Sequence, residues 1–185
     1  MPRPSLNQIL KTALIFILSY FVFLILWIQV KDYYGYGMTV TASRVIASIK
    51  DLQIDAVDQN DERVQVTFTP YRINRNILID IPVRTNTYTF NSPLTLAIMS
   101  SLFLFIRRKL RAYGEALLLL LSVHLLFITT FEMKELTTVL MNMKLQTVSE
   151  ARIVIYQILW SFTDNMVIRF EPFLIGFYLF VRFRR

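Results

Sequence analysis

The stretch Phe105–Phe127, "FIRRKLRAYGEALLLLLSVHLLF", sets Arg107, Arg108, Lys109 and Arg111 between two apolar runs. Such a cluster can grip a nucleic acid, hold a phosphate, or fix which side of a membrane it lies on, and its surroundings decide between these. Upstream, "PLTLAIMSSLFLFI" from Pro93 to Ile106 would extend about 21 Å as a helix. Downstream, "ALLLLLSVHLLFITTF" from Ala116 to Phe131 would extend about 24 Å. The shape is that of a helical hairpin with a basic turn, in which the first arm is short for a bilayer.

The rest of the chain supports a membrane reading. Of its 185 residues 55% are hydrophobic, mean hydropathy is +0.47 and only 4 are glycine, which is too apolar for an ordinary soluble domain. From Ala13 to Val30 no charge interrupts the run, whose length matches the hydrocarbon layer. Lys31, Asp32 and the tyrosines at 33, 34 and 36 follow in place of a small-residue cleavage site, so this run reads as an uncleaved signal anchor. A fourth run, Met166–Val181, is broken by Arg169, Glu171 and Pro172.

Charge placement orients these spans. If all four cross, the inner segments hold Arg3, Lys11, Arg107, Arg108, Lys109, Arg111, Arg182, Arg184 and Arg185 against Glu115 alone, whereas residues 31–92 balance seven bases with seven acids. Three inner segments sharing one sign follow the positive-inside rule, and a non-crossing second run would put the basic cluster outside, against it. The net charge of +7 therefore reflects orientation and contact with membrane lipids, with no nucleic-acid partner. The expected fold is a helical membrane protein with four transmembrane helices, N-in and C-in, and a small extracytoplasmic α+β subdomain. Its parts are the N-terminus and anchor at 1–31, the subdomain at 32–92, the hairpin at 93–131 with its basic turn at 107–111, an outer segment at 132–165, and the last span with the C-terminus at 166–185.

In the first outer segment Met38, Ala42, Val45, Ile46 and Ile49 recur at helical spacing, with Ser43, Arg44 and Lys50 off that stripe. The period then shortens to two: Leu52, Ile54, Ala56; Val64, Val66, Phe68; Ile77, Ile79, Ile81, Val83; Tyr88, Phe90. An amphipathic helix followed by an antiparallel meander is expected, with turns at "QNDE" and "RTNT" and with Pro82 on an edge strand. In the second outer segment "ARIVIYQILWSF" predicts an amphipathic helix, with Glu150, Gln157, Ser161 and Asp164 as its polar stripe and Tyr156 and Trp160 suited to the headgroup layer.

Residues able to carry chemistry are few. There is no cysteine and one histidine, His124, which excludes a thiolate nucleophile and a multi-histidine metal centre; no cofactor or metal is expected. His124 lies in the third span, either as a neutral group hydrogen-bonded to another helix or as a functional group. Arg169 and Glu171, two apart and so on different faces, lie either in the span or in the headgroup layer with the span starting at Pro172. Asp51, Asp55, Asp58, Asp61 and Glu62 lack the glycine and terminal glutamate of a calcium loop. No serine, histidine and aspartate are placed to act together, so the chain is expected to be no enzyme. The rival class is a small transport or permeation subunit in which His124, Glu115, Arg169 and Glu171 line a path.

The order of anchor, outer helix and strands, "YTFNSPLTLAIM" leading into a short span, basic turn and two further spans resembles the exosortase-associated integral membrane proteins, in particular the exosortase-H-associated type. Asn91, Pro93, Leu94 and Ala97 at the entry to the second span, with Pro172 before the last, carry that resemblance. It implies a multi-pass accessory protein of a bacterial inner membrane, partnering an integral-membrane cysteine transpeptidase that processes sorting signals on exported proteins. It transfers no catalytic residue.

Overall fold

A computed structural model describes residues 6–60, 62–70 and 76–184. Arg3, Asp61 and Arg185 lie outside the described residues. The described chain is mostly helical with one small sheet. Its elements are α1 (Leu6–Lys50), β1 (Gln53–Asn60), β2 (Arg63–Thr69), β3 (Ile79–Arg84), α2 (Thr85–Thr89), α3 (Ser92–Leu102), α4 (Lys109–Asn142), α5 (Glu150–Phe162), a π-helical segment (Thr163–Ile168) and α6 (Arg169–Phe183). Only α1 and α4 are, among the described residues, long and apolar enough to cross a membrane as single regular helices. α3 and α6, of 11 and 15 residues, are shorter than the roughly 20 that a bilayer asks of a helix.

The chain forms two compact units. The first takes the described residues up to Val30, Phe90–Ser122 and those from Arg169 onward; the second takes Lys31–Thr89 and Val123–Ile168. Three helical stretches thus contribute to both. The anchor does not end at the tyrosines: α1 is one helix of 45 residues that runs through Gly35 and Gly37, with Thr85 packed closely on Gly35. The apolar run Ala116–Phe131 is likewise divided, and Phe127 and Ile128 belong to the core of the second unit.

That second core joins Ala42 and Ile46 of α1, Val64, Val66 and Phe68 of β2, Ile79, Ile81 and Val83 of β3, Tyr88 of α2, and Phe127, Ile128, Leu136 and Leu140 of α4. The sheet is antiparallel in the order β1-β2-β3, so β3 with Pro82 is an edge strand, where a missing N–H costs least. A bulge between Ile54 and Ala56 shifts the alternation on β1, so that Val57 and not Ala56 follows Leu52 and Ile54 toward the core. Two expectations change. Tyr88 and Phe90 form no fourth strand; "RTNT" opens α2, whose Thr85, Tyr88 and Thr89 share one buried face at helical spacing. The buried stripe of α1 is Gly35, Thr39, Ala42, Ser43, Ile46 and Ala47, while Val45 and Ile49 are exposed.

Close approach explains that choice of small residues. A Cβ on Gly35 would lie 2.6 Å from Cγ2 of Thr85. In the first unit a Cβ on Gly176 of α6 would lie 2.7 Å from Cγ2 of Ile98 on α3, the small-residue packing by which membrane helices approach. Gly176→Ala is expected to destabilise the protein by about 1–3 kcal/mol through overpacking. Ile98→Ala in the same chain should recover part of the loss, because the Ile98 Cβ itself stands 4.0 Å from the added methyl. Thermal unfolding of the detergent-solubilised variants measures both changes, and a double variant no more stable than G176A would contradict the contact.

Candidate functional site

In the second unit the helices α1, α2 and α4 meet along a buried polar seam. Four-residue spacing puts Gly35, Thr39 and Ser43 on one face of α1, and His124, Ile128, Glu132 and Leu136 on one face of α4. At one end the Tyr34 hydroxyl and His124 Nδ1 are 2.7 Å apart, and the Tyr88 ring stands edge-on to the imidazole with centroids 5.4 Å apart. The Tyr88 hydroxyl donates to the carbonyl of Gly35 at 3.1 Å, which leaves Thr39 Oγ1, 3.4 Å away, as donor to the phenol. Burial pushes the Tyr88 phenol up to about 12, so it stays a donor. At the other end Lys50 Nζ donates to Thr137 Oγ1 at 2.8 Å.

Between them lies Glu132, fully buried. Ser43 Oγ is 2.6 Å from its Oε1 and 2.8 Å from the carbonyl of Thr39. A hydroxyl has one proton, and the carbonyl can only accept. The two short contacts are both satisfied when Ser43 donates to Thr39 and a protonated Glu132 donates to Ser43. Desolvation agrees with this count: burial raises the Glu132 carboxyl to about 8. Its other oxygen, Oε2, has no hydrogen-bond partner among the described residues.

The residues singled out from sequence fall into separate clusters. His124 belongs to the seam. Glu171, also buried, accepts from Thr95 Oγ1 of α3 at 3.0 Å in the first unit, while Arg169 is exposed. Glu115 accepts from Tyr178 at 2.7 Å and is paired with Arg111 at 3.0 Å and Arg182 at 3.2 Å. The basic turn is compact: the Arg107 N–H donates to the Phe183 carbonyl at 2.7 Å, Arg108 has a left-handed φ of 52°, and Lys109 Nζ lies 3.3 Å from the centre of the Phe103 ring. Asn91 precedes α3 and its carbonyl receives the Thr95 N–H at 2.9 Å; Pro93 sits in the first turn, where a missing N–H costs nothing. Among the described residues no three of His, Asp and Glu gather as a metal site.

From sequence Tyr34, Tyr88 and Ser43 read as a residue following the anchor, a strand residue and a residue off the apolar stripe, none of them a site residue, and Glu132 is not singled out. Glu132 had a usable signal: it continues the four-residue series from His124 through Ile128 to Leu136 inside an apolar stripe, a position that buries a carboxyl.

Two helices long and apolar enough to cross a membrane, α1 and α4, thus accompany a small mixed unit of helices and one sheet. Residues 5–183 match the family of exosortase H-associated membrane proteins, and the chain belongs to that family. No curated protein and no solved structure matches the sequence.

The raised pKa of Glu132 has a defined consequence. Its folded-state pKa lies above the ordinary carboxyl value, so the stability it permits is fully present below about pH 4.5 and is lost as pH rises toward 8. At pH 7 the cost is on the order of 3 kcal/mol. Glu132→Gln, neutral at every pH, should flatten the fall in melting temperature between pH 5 and pH 8; parallel curves for wild type and variant would show that the carboxyl is already ionised in the fold.

Proposed function

We propose that this protein is a non-enzymatic accessory subunit of a bacterial inner membrane, whose helices and second unit bind an exosortase-type membrane peptidase during the processing or export of surface proteins. Membership of the exosortase H-associated family carries this reading. The chain supports it in three ways. It has no cysteine with which to be the transpeptidase itself. The polar side chains of the seam are turned toward one another, an arrangement that holds α1, α2 and α4 in register and presents no reactive group to a substrate. Large apolar side chains stay exposed on α5, including Val154, Ile155, Ile158 and Phe162, in the unit that holds the sheet.

In this reading the first unit crosses the bilayer four times, N-in and C-in. α3 crosses as a short helix completed by Phe103–Ile106, and α6 continues the π segment. Arg107, Arg108, Lys109 and Arg111 mark the inner side, and the second unit is extracytoplasmic. His124 serves by fixing Tyr34 and Tyr88, and Glu171 by fixing α3.

Affinity purification of the tagged full-length protein from its native membranes should recover an integral-membrane peptidase carrying cysteine, histidine and arginine on its membrane helices. Exposed α5 replacements such as Ile155→Asp with Ile158→Asp should lower that recovery at least tenfold while leaving the unfolding temperature within a few degrees. Recovery of the chain without any integral-membrane partner would overturn the proposal. An accessible reporter placed after Arg111 on the outer side would overturn the topology.

A further inference from the structure

The second unit also contains a groove that the polar seam does not use. It encloses about 250 Å³ and runs between Val45 and Ile49 of α1, Thr130 and Met133 of α4, and Tyr156 and Leu159 of α5. Its wall is hydrocarbon. Thr130 spends its hydroxyl on the carbonyls of Leu126 and Phe127, and Thr129 spends its own on Leu126, so both threonines can offer the groove their methyl groups. The wall is made of helices whose backbone groups are already paired, so nothing in it recognises a peptide main chain. Val45, Ile49 and Leu159 remain 43%, 62% and 47% exposed at its rim.

Two cations stand together beside this apolar slot. Lys50 follows Ile49, and its Nζ lies 5.4 Å from the centre of the Tyr156 ring. Arg152 is one turn before Tyr156 on the same face of α5. Neither forms an ion pair among the described residues; Lys50 donates only to a neutral threonine hydroxyl. Their proximity is unfavourable without an anion: burial first, and then the charge of Arg152, lower the Lys50 pKa.

We propose that this groove seats an acyl chain of a phospholipid of net negative charge, whose phosphate, uncompensated by a cation in its own headgroup, lies across Lys50 and Arg152. A phosphate offers acceptors to both cations at once, and an unbranched chain needs only the dispersion contacts that the wall supplies. The site is separate from the basic turn at Arg107–Arg111 and does not depend on the partner proposed above.

The test uses the full-length protein in detergent, titrated with phosphatidylglycerol or phosphatidylcholine of the same acyl chains and read by native mass spectrometry. Phosphatidylglycerol should be retained at higher occupancy. Lys50→Gln with Arg152→Gln should lower its occupancy at least fivefold, and Val45→Trp, at an exposed rim position, should reduce retention of both lipids. Arg107→Gln with Arg108→Gln is the control for lipid held at the basic turn. The proposal is overturned if phosphatidylglycerol occupancy is unchanged in the folded K50Q/R152Q protein, or if the entire preference disappears in the control pair. Should Val45→Trp prove unstable, the charge pair alone decides, because both of its side chains reach solvent and their loss leaves the core intact.

Discussion

Burying the Glu132 carboxyl between α1 and α4 sets the terms on which the second unit is built. A carboxylate without a cation is costly in such a place, and among the described residues Ser43 is its one hydrogen-bond partner. The group can be accommodated if it keeps its proton and if the two helices approach closely enough for a serine to reach it. Close approach in turn demands small residues along α1, and Gly35, Thr39, Ala42, Ser43 and Ala47 supply them. Ile46 then enters the core with the inward residues of β2 and β3, and Tyr88 closes it beside His124. The sheet is small, and one helical face provides much of what it buries against.

The same contact explains what hydropathy alone does not register. A helix that leaves lipid and continues into a protein core remains apolar throughout, so no change in composition marks the passage. "ALLLLLSVHLLFITTF" reads as one lipid-facing span, yet its second half packs on Tyr88 and Trp160. In α1 the reverse occurred: "KDYYGYG" looks like the end of a helix, although tertiary contacts at Gly35 make it an ordinary stretch of a longer one. The three strands and α5 were legible because their periods of two and of three to four are set locally. The "TNTYTF" stretch was ambiguous, since Tyr88 and Phe90 suit a strand while Thr85, Tyr88 and Thr89 suit a helix turn. Burial of the tyrosine beside His124 and Phe127 decided it.

Site residues were legible only so far as their signal was local. His124 stood out as the single histidine in an apolar run, but its partners lie 90 residues upstream at Tyr34 and in the helix after β3, distances at which one sequence carries no pairing information. Ser43 looked like a solvated residue because Val45 and Ile49 made a more apolar stripe beside it. That stripe is exposed in the fold and forms one side of the groove. Its apolarity was read correctly, and its direction was not, because the narrow helix contact selected residues for size ahead of hydrophobicity.

The first unit obeys a related constraint. α3 is about 16 Å long, little more than half the hydrocarbon thickness, so it does not qualify as a free-standing span. It is held instead by α6. Ile98 fits where Gly176 leaves room, and Thr95 donates to a buried Glu171. At the far end Tyr113 of α4 donates to the Met99 carbonyl at 3.2 Å. Each contact is between positions that a free-standing span would expose to lipid. On α6 Glu171 and Pro172 face inward, while Phe173, Leu174 and Phe177 stay outward. An undersized helix is therefore held in this chain by its packing within the unit.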